Sequence, residues 1–468
     1  MGLLLSVLSF QACEREFVFR GGEDGLAFST DTVMFDTIFT SIGSTTKSFL
    51  VYNPYDEDLS IEAIQLAGGD ESDFRLNING YSENELMDVR VRSRDSLFIF
   101  VEVTIDPGES NTPFVVKDSI LFHTSQKMQA VKLVAYGQDV VLMRKKNLKS
   151  QTLTSDKPYL IYDYVMIDTA ETVSIDPGAR LYFYKDASMV VHGSLEVNGT
   201  LEEPVVFTGH RQEEWYQDKP GQWGYIHLMP KSGQSKLNHT IIKNGLMGIM
   251  ADSVGTGESG PIEINNCRIE HTSTYGLLAQ TSRVDVTNTI FGDCGKNAVA
   301  LTVGGEYSFI HCTFANYFGW AIRTSPTILL NNYFIDENEK KQVVPLKKAD
   351  FRNCIIYGRN PNELGFDIEL REGEFAKTDA MYMFDHALIR VANDFDVSDE
   401  NHFRNIITDE EPSFMNIDEY NYQLDTISVA KDFGKLEFGE MVPKDILGIS
   451  RLEDEGPDLG AYERQEEE

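Results

Sequence analysis

His239-Thr240-Ile241-Ile242 is the first of six related four-residue stretches between Leu237 and Ile389. Each stretch begins with Asn or His, has a small residue second in most copies, and ends on an apolar residue. Successive copies start 27, 22, 23, 42 and 33 residues apart. A period in the twenties indicates a solenoid, because stacked repeats bury apolar faces that one repeat cannot bury alone. The other copies are Asn266-Cys267-Arg268-Ile269, Asn288-Thr289-Ile290-Phe291, His311-Cys312-Thr313-Phe314, Asn353-Cys354-Ile355-Ile356 and His386-Ala387-Leu388-Ile389.

The segments around these copies have the composition of short β-strands. They are rich in Ile, Val, Thr, Phe and Cys, they alternate every second residue, and Gly, Asn and Asp separate them. No run with helical periodicity and a capping signal stands between them, which argues against a strand-plus-helix solenoid. The sequence therefore predicts a parallel β-helix, whose coils stack at roughly 4.8 Å. A second short phrase follows four of the copies: Gly248-Ile249, Gly276-Leu277, Ala298-Val299 and Ala321-Ile322.

The Asn and His residues that open the copies share one repeat position. Interchange of these residues at a turn predicts a polar ladder whose side chains bond neighbouring backbone. His239, His311 and His386 are separated by whole coils, so we do not expect them to share a metal ion. Cysteines at the second position should face the stacked interior as small apolar groups.

The charge of the chain excludes one class of partner. Lys and Arg number 41 against 74 Asp and Glu, a formal net charge of −33. Such a chain repels phosphate backbones, so nucleic acid is not expected as a partner. We expect no cofactor, although clustered carboxylates such as Asp409-Glu410-Glu411 are able to hold Ca²⁺. A solvated acidic turn is the simpler interpretation of that cluster. Because the chain has no CxxC pair, a zinc or redox motif is not predicted.

Residues 24–142 form a separate unit with a different pattern. Leu97 to Val103 alternates as a full strand, Asp106-Pro107-Gly108 closes it as a turn, and Ala130 to Gly137 is a further strand. About seven such strands at this spacing predict an antiparallel sandwich. The order of the phrases resembles immunoglobulin-like domains of the ASPM/SPD-2/Hydin type, which implies a binding or spacer module.

The segment from Arg144 to Lys157 carries five Lys or Arg residues, and we predict it to be an exposed connection. Beyond it, residues 158–430 are predicted to form the β-helix. Val173 to Phe183 and Gly221-Gln222-Trp223-Gly224 resemble the opening coils of right-handed parallel β-helix proteins that Bacteroidetes-type bacteria export. Residues 431–468, with Gly456 to Glu463, are similar to the closing segment of such proteins and end in an acidic tail. The resemblance implies an all-β chain with a sandwich followed by a right-handed parallel β-helix.

The N-terminus, residues 1–13, resembles a bacterial lipoprotein signal. An apolar run from Gly2 to Ala12 precedes Cys13, which would be the lipidated residue. The stretch departs from the family pattern because no Lys or Arg precedes the apolar run, and a buried N-terminal strand is the alternative. The resemblance implies an outer-membrane lipoprotein on the periplasmic side or at the cell surface. Glu14-Arg15-Glu16 resembles the acidic patch that directs such proteins to the surface.

The motif set of polygalacturonase-like hydrolases is not complete here. These enzymes carry an Asn-Thr-Asp, an adjacent Asp pair, a Gly-His-Gly and an Arg-x-Lys, and of these only an Arg-x-Lys occurs, at Arg144-Lys145-Lys146, outside the repeats. Arg323 follows a predicted strand and is similar to the base of pectate-lyase-like enzymes. We nevertheless favour a solvated charge at a strand end for this residue.

Aromatic residues are the stronger functional candidates. Trp215 and Tyr216 lie in a long polar loop from His210 to Gln222, and Trp320 lies at a predicted coil turn. Exposed aromatic faces stack on sugar rings. The alternative is that these rings pack over the coil surface. The insert from Asn331 to Lys348 accounts for the 42-residue spacing and should form an exposed loop.

These observations favour an exported, lipid-anchored envelope protein. Its β-helix would be a non-catalytic binding or scaffold surface for a glycan or an outer-membrane protein, with Trp215, Tyr216, Trp320 and Arg323 as candidate ligand-binding residues. The alternative is a polysaccharide lyase or glycoside hydrolase with its site on the β-helix surface. The absence of an assembled acid, base and cationic clamp favours the binding function.

Overall fold

The computed structural model of the protein describes residues 25–40, 44, 46–106, 114–257, 260–371, 379–408, 410–453 and 455–464. The chain forms two compact units, Met1–Asp139 and Val140–Glu468. Cys13 and the predicted signal lie outside the described residues. Among the residues described, no helix is both long and apolar enough to cross a membrane.

The first unit contains two β-sheets. Its strands are β1 (Ala27–Phe28), β2 (Thr32–Phe39), β3 (Lys47–Tyr52), β4 (Leu59–Leu66), β5 (Phe74–Ile78), β6 (Glu85–Val91), β7 (Ser96–Val103), β8 (Phe114–His123) and β9 (Met128–Gln138). One sheet is antiparallel in the order β1-β3-β7-β5, and the other has the order β2-β9-β8-β4-β6. Their inward-facing residues form one buried cluster that includes Phe35, Phe74 and Phe122. The predicted sandwich is confirmed, but β2 pairs in parallel with β9, so the second sheet is mixed.

The second unit consists mainly of short strands, most of which pair in parallel. They are β10 (Val141–Leu148), β11 (Gln151–Leu153), β12 (Tyr159–Ile167), β13 (Thr172–Ile175), β14 (Arg180–Phe183), β15 (Ser188–Val191), β16 (Ser194–Asn198), β17 (Val205–Gly209), β18 (Ile226–Leu228), β19 (Lys236–Asn238), β20 (Thr240–Lys243), β21 (Ile249–Asp252), β22 (Ile262–Asn265), β23 (Arg268–Thr272), β24 (Leu277–Thr287), β25 (Ile290–Cys294), β26 (Val299–Ile310), β27 (Thr313–Asn316), β28 (Ile328–Asn331), β29 (Tyr333–Ile335), β30 (Lys341–Val343), β31 (Leu346–Gly358), β32 (Leu364–Asp367), β33 (Met383–Ile389), β34 (Phe403–Ile407), β35 (Phe414–Asn416) and β36 (Asn421–Leu424). A short helix α1 (Leu436–Met441) follows them.

Each coil contributes a strand to three parallel stacks, which we name the first, second and third sheets. The first sheet contains β15, β18, β21 and the first part of β24. The second contains β13, β16, β19, β22 and the later part of β24. The third contains β14, β17, β20, β23, β25 and β27. The unit is therefore the parallel β-helix that the repeats predict.

The predicted exposed connection between the units is wrong. The segment from Arg144 to Lys157 contains most of β10 and all of β11, which pair in parallel with β12 and β13. Its Lys and Arg residues project outward, whereas Leu148 and Leu153 are buried in the interior of the β-helix. The basic composition of this segment suggested an exposed connection, although the inner faces of its strands are apolar.

Stacked aromatic rings fill part of the interior. Phe309, Phe351, Phe384 and Phe403 form a column with centroid separations of 4.8, 4.7 and 5.4 Å and interplanar angles below 10°. The spacing follows the strand spacing because each ring comes from the next coil at the same register. Cys267, Cys312 and Cys354 are buried in the same core, as predicted.

The residue that opens each repeat copy adopts a left-handed backbone conformation. All six have φ between 42° and 54°: His239, Asn266, Asn288, His311, Asn353 and His386. Asn is enriched there because its short polar side chain lowers the cost of the left-handed region. Asn288 donates from Nδ2 to Asn266 Oδ1 at 3.0 Å, and Asn353 Nδ2 lies 3.1 Å from His311 Nε2. The predicted polar ladder is confirmed at the corner between the second and third sheets.

The second short phrase of the repeats, such as Gly248-Ile249, lies at the corner between the third and first sheets, where space is limited. A Cβ added to Gly248 would lie 2.4 Å from Gly276 O of the next coil, so a side chain does not fit there. The assignment of Ala321-Ile322 as the fourth copy of this phrase is wrong. Ile322 is almost fully exposed, and Val299 pairs with Ile328. A longer loop in that coil shifts the register of the phrase.

Two further elements complete the second unit. The 42-residue repeat contains the antiparallel hairpin β29–β30, which confirms the predicted exposed insert. The C-terminal segment, residues 410–453 and 455–464, covers the third sheet, where Tyr422 and Tyr462 pack with Ile290. It is tied to the polar ladder, because Asn288 Nδ2 donates to Lys444 O at 2.6 Å and Gly460 N donates to Asn353 O at 2.8 Å.

Candidate functional site

The candidate site lies at the corner between the third and first sheets. Two long loops leave the third sheet there: residues 210–222 follow β17, and residues 317–326 follow β27. Strands β20, β23 and β25 lie between them in the stack, so about 19 Å of strand spacing separates the two loop starts. The turns after β20, β23, β25 and β31 at this corner are shorter.

The first loop is fixed to the coil by amide side chains. Gln222 Nε2 donates to Tyr216 O at 2.5 Å and to Lys219 O at 2.8 Å. Asn244, from the turn after β20, donates from Nδ2 to Gln217 O at 2.9 Å. These bonds hold the short 3₁₀ helix Glu214–Tyr216, which carries Trp215, against the stack. A loop held in one conformation loses little entropy when it binds a ligand.

The second loop is fixed by a buried ion pair. Arg323 Nη2 donates to Glu363 Oε1 at 2.5 Å, and the side chains are 3% and 0% exposed. Arg323 also donates to the carbonyl oxygens of Asn316 and Ser325, and Thr327 N donates to Glu363 Oε2. The interpretation of Arg323 as a solvated charge is therefore wrong. The guanidinium binds backbone on both sides of Trp320 and positions the loop that carries it.

The structure brings together two aromatic residues that the sequence placed in unrelated loops. The ring centroids of Trp215 and Trp320 lie 5.7 Å apart, with the rings edge to face at 78°. The residues are 66% and 42% exposed. We name these two residues the indole pair. Edge-to-face packing uses the edge of one ring and leaves indole surface open to solvent, which is the surface that a sugar ring needs.

Charged residues surround the indole pair. Lys219 Nζ lies 5.9 Å from the Trp215 ring and 5.0 Å from the Tyr216 ring. Arg211 covers the Tyr216 ring at 3.9 Å and pairs with Glu213 at 2.7 Å. That ion pair raises the pKa of Arg211 and, although burial opposes it, lowers the pKa of Glu213. Tyr216 is thus covered by cations and presents less ring surface than Trp215.

An acid–base cluster adjoins the first loop. Asp218, three residues after Trp215, has Oδ1 3.7 Å from His271 Nε2 and 4.0 Å from Lys243 Nζ. Burial lowers the pKa of His271. Glu270, beside it, is held ionised by Arg268 at 3.1 Å, which outweighs burial and lowers the pKa of Glu270. The cluster places polar groups of both signs beside the indole pair.

Asp293 is the most perturbed carboxyl group near this cluster. It accepts a hydrogen bond from the hydroxyl of Tyr422 in the C-terminal segment. Burial, reinforced by the negative charge of Glu270, raises the pKa of Asp293 to about 7, although the bond from Tyr422 opposes the shift. Burial therefore favours the protonated form of this carboxyl much more than in an exposed aspartate. Sequence reasoning missed Asp293 because nothing in Asp293-Cys294-Gly295 distinguishes it from an ordinary turn.

The remaining predicted sites are placed as follows. Cys13 lies outside the described residues, as does Asp409, so their lipidation and Ca²⁺ binding stay predictions. Within the part of the chain that is described, no three His, Cys, Asp or Glu side chains group so as to hold a metal ion. Glu363 and Asn244, which position the two loops, were not predicted, because their partners lie 40 and 27 residues away in sequence.

Comparison with known proteins supports the fold. A family model described as "right handed beta helix region" matches residues 247–378. No curated protein matches the chain. Among solved structures, the chain is similar to a family 123 glycoside hydrolase from Clostridium perfringens, described in a study of glycolipid glycan hydrolysis, with 6% identity and a TM-score of 0.18. The match covers 26% of this chain and spans 30% of the hydrolase, so it carries no argument about function. The second unit is a right-handed parallel β-helix.

Proposed function

We propose that the second unit binds a glycan at the indole pair and that the protein is a non-catalytic binding protein of the cell envelope. The observation that carries the proposal is the contact between Trp215 and Trp320, which are 105 residues apart in sequence and both exposed. Large aromatic rings that remain exposed in loops held by buried hydrogen bonds and an ion pair are typical of binding surfaces.

The geometry fits a carbohydrate better than a flat apolar ligand. Two indole rings at 78° offer two differently oriented faces, and sugar rings present C–H groups on one face and hydroxyl groups at the edge. Asp218 and Lys219 lie on the same loop and supply an acceptor and a donor for those hydroxyl groups. The loops are held by Asn244 and by the Arg323–Glu363 pair, so the site exists before the glycan binds.

Binding is tested by calorimetric titration of the purified protein with a panel of neutral oligosaccharides. Trp215→Ala and Trp320→Ala should each weaken binding at least tenfold. Phe334→Ala is the matched control, because Phe334 is a similarly exposed aromatic residue on the β29–β30 hairpin. Absence of binding to any glycan, or equal losses in all three variants, would refute the indole pair as the site.

Export and anchoring through Cys13 complete the proposal. The apolar run before Cys13 and the acidic composition of the chain support a lipoprotein held at the outer membrane. Cys13→Ala should move the protein from the membrane fraction to the soluble fraction of a host that processes lipoproteins. Unchanged fractionation would remove the anchor from the proposal without affecting glycan binding.

A second candidate function, glycan cleavage, is favoured by Asp293 alone. A carboxyl group whose pKa is raised to about 7 by burial suits a general acid. The group is buried under Tyr422, however, which favours the binding function. Incubation of the bound glycan with the protein, with Asp293→Asn as control, separates the two. New reducing ends or unsaturated products that depend on Asp293 would establish cleavage.

A further inference from the structure

A second groove lies on the outer surface of the last coils, away from the loops that carry the indole pair. It has a volume of about 1260 Å³. Its floor is the outer face of β31, β33 and β34, and its walls are the segment from Phe366 to Leu370 and helix α1. This volume exceeds the roughly 300–1,000 Å³ of a typical small-molecule pocket, so the groove has room for several linked sugar residues.

The charge of this groove opposes that of the chain. Its lining contains five Lys or Arg residues and three Asp or Glu residues, whereas the whole chain has 41 and 74. The difference is larger at the solvent-facing surface. The side chains of Lys347 and Lys348 are 67% and 42% exposed, while Asp350 and Asp385 on the floor are 14% and 12% exposed. Lys435 is paired at 2.6 Å with the exposed Glu437, so these two residues together add no net charge. A ligand entering the groove therefore meets mainly positive charge.

The cations are arranged in register with the strands. Arg352, Asp385 and Arg404 occupy one outward column on three successive strands. Two strand spacings, roughly 10 Å, separate the backbone positions of the two arginines. Arg352 is paired with Asp350 at 2.6 Å, and the Asp385 carboxylate lies 2.8 Å from His386 Nδ1. Arg404 is exposed, and its Nε donates to Glu400 O at 2.9 Å.

Aromatic rings lie between these charges. Tyr382 and His402 stack at 3.9 Å with an interplanar angle of 14°. The Phe438 ring of α1 is approached by the Arg352 guanidinium at 5.3 Å and by Lys435 Nζ at 4.8 Å. Phe438 is buried, so the half-buried rings of Tyr382 and His402 are the ones that a ligand in the groove can reach. Cations beside these rings suit a pyranose chain, whose rings have apolar C–H faces and whose acidic substituents recur along the polymer.

We propose that this groove binds a segment of an anionic polysaccharide, with its sulfate or carboxylate groups at Lys348 and Arg404 and a sugar ring against Tyr382. A second glycan site, which begins on the coil next to the one whose loop carries Trp320, gives the β-helix two attachment points on one extended polymer. Two such points raise the overall affinity when one chain occupies both. An acidic peptide is the weaker occupant, because it has no pyranose ring to pack against Tyr382.

The test uses the whole protein at low salt with chondroitin sulfate, polygalacturonate, neutral dextran, polyglutamate and phosphatidylglycerol vesicles as probes. Arg404→Glu combined with Lys348→Glu should weaken binding of the anionic polysaccharides at least tenfold. Lys340→Glu combined with Lys149→Glu is the matched control, since it reverses two cations at exposed positions outside the groove. Arg404→Gln, which changes one surface group only, provides the comparison if the double variant does not fold.

The outcomes are distinct. Binding of chondroitin sulfate alone or polygalacturonate alone supports the groove and identifies its anionic group. Equal binding of polyglutamate or of the vesicles would overturn the proposal, as would anionic-glycan binding that the Arg404 variants leave unchanged. Trp215→Ala and Trp320→Ala should not change the intrinsic affinity for a short anionic oligosaccharide. The experiments therefore test the groove and the indole pair independently.

Discussion

Replacement of Asp293 by Asn should make the second unit less sensitive to high pH. The Asp293 carboxyl is buried and accepts the hydroxyl hydrogen of Tyr422, and its pKa is raised to about 7 by burial and by the Glu270 charge. In the unfolded chain the same group has a pKa near 3.8. The folded state therefore binds more protons between these values, and its stability falls as pH rises through this window. Asn keeps an oxygen acceptor for Tyr422 but does not ionise.

The magnitude follows from the two pKa values. Between pH 5 and pH 8 the native protein should lose about 2.5 kcal/mol of unfolding free energy through Asp293. The Asp293→Asn variant should not lose this free energy. The unfolding free energy of the variant minus that of the native protein should therefore rise by about 2.5 kcal/mol between pH 5 and pH 8. Other groups, such as His271, titrate in both proteins and cancel in the difference.

Urea unfolding followed by tryptophan fluorescence measures this difference. All three tryptophans, Trp215, Trp223 and Trp320, lie in the second unit, so the signal does not report the sandwich. Asp394→Asn is the control, because Asp394 is an exposed aspartate of the same unit. Parallel pH profiles for Asp293→Asn and the native protein would refute the argument that Asp293 is held protonated by its surroundings.

Three further substitutions test the packing that supports the site. Glu363→Gln should destabilise the second unit by about 3–5 kcal/mol, because it leaves the Arg323 charge buried without its partner; an unchanged urea midpoint would contradict this. Phe351→Ala should cost about 3–5 kcal/mol by opening a cavity in the column of stacked rings, and a loss below about 1 kcal/mol would argue against that column. Asn353→Ala should speed trypsin cleavage at Lys435, since Asn353 bonds both N and O of that residue. Asn353→Gly, which retains the left-handed backbone, separates the conformational cost from the lost bonds.

The repeats predicted the fold because they record backbone geometry directly. Asn266, Asn288 and Asn353 recur where φ is positive, and the residues after them alternate between the core and the third sheet's outer face. Both features depend on local sequence. The error at Ala321-Ile322 shows the limit, because a loop of unknown length hides which apolar pair resumes the stack.

The candidate site was predicted only in part, because the paths of its loops are not contained in the local sequence. Trp215 and Trp320 were identified as exposed aromatic residues, but their contact depends on two loops that approach each other along the stack. Arg323 was misinterpreted because its partner, Glu363, lies 40 residues further along the chain and carries no local signal. Buried ion pairs between coils need the register of the coils, which the sequence of one loop does not contain.

A double-mutant cycle on glycan binding shows whether Trp215 and Trp320 form one binding surface. The affinities of the native protein, Trp215→Ala, Trp320→Ala and the double variant would be measured by calorimetry with the tightest-binding oligosaccharide of the panel. If the two rings form one surface, we expect the double variant to lose less than the sum of the single losses, with a coupling energy of at least about 0.5 kcal/mol. Additive losses, or a loss confined to one tryptophan, would contradict the claim that Trp215 and Trp320 act as one site.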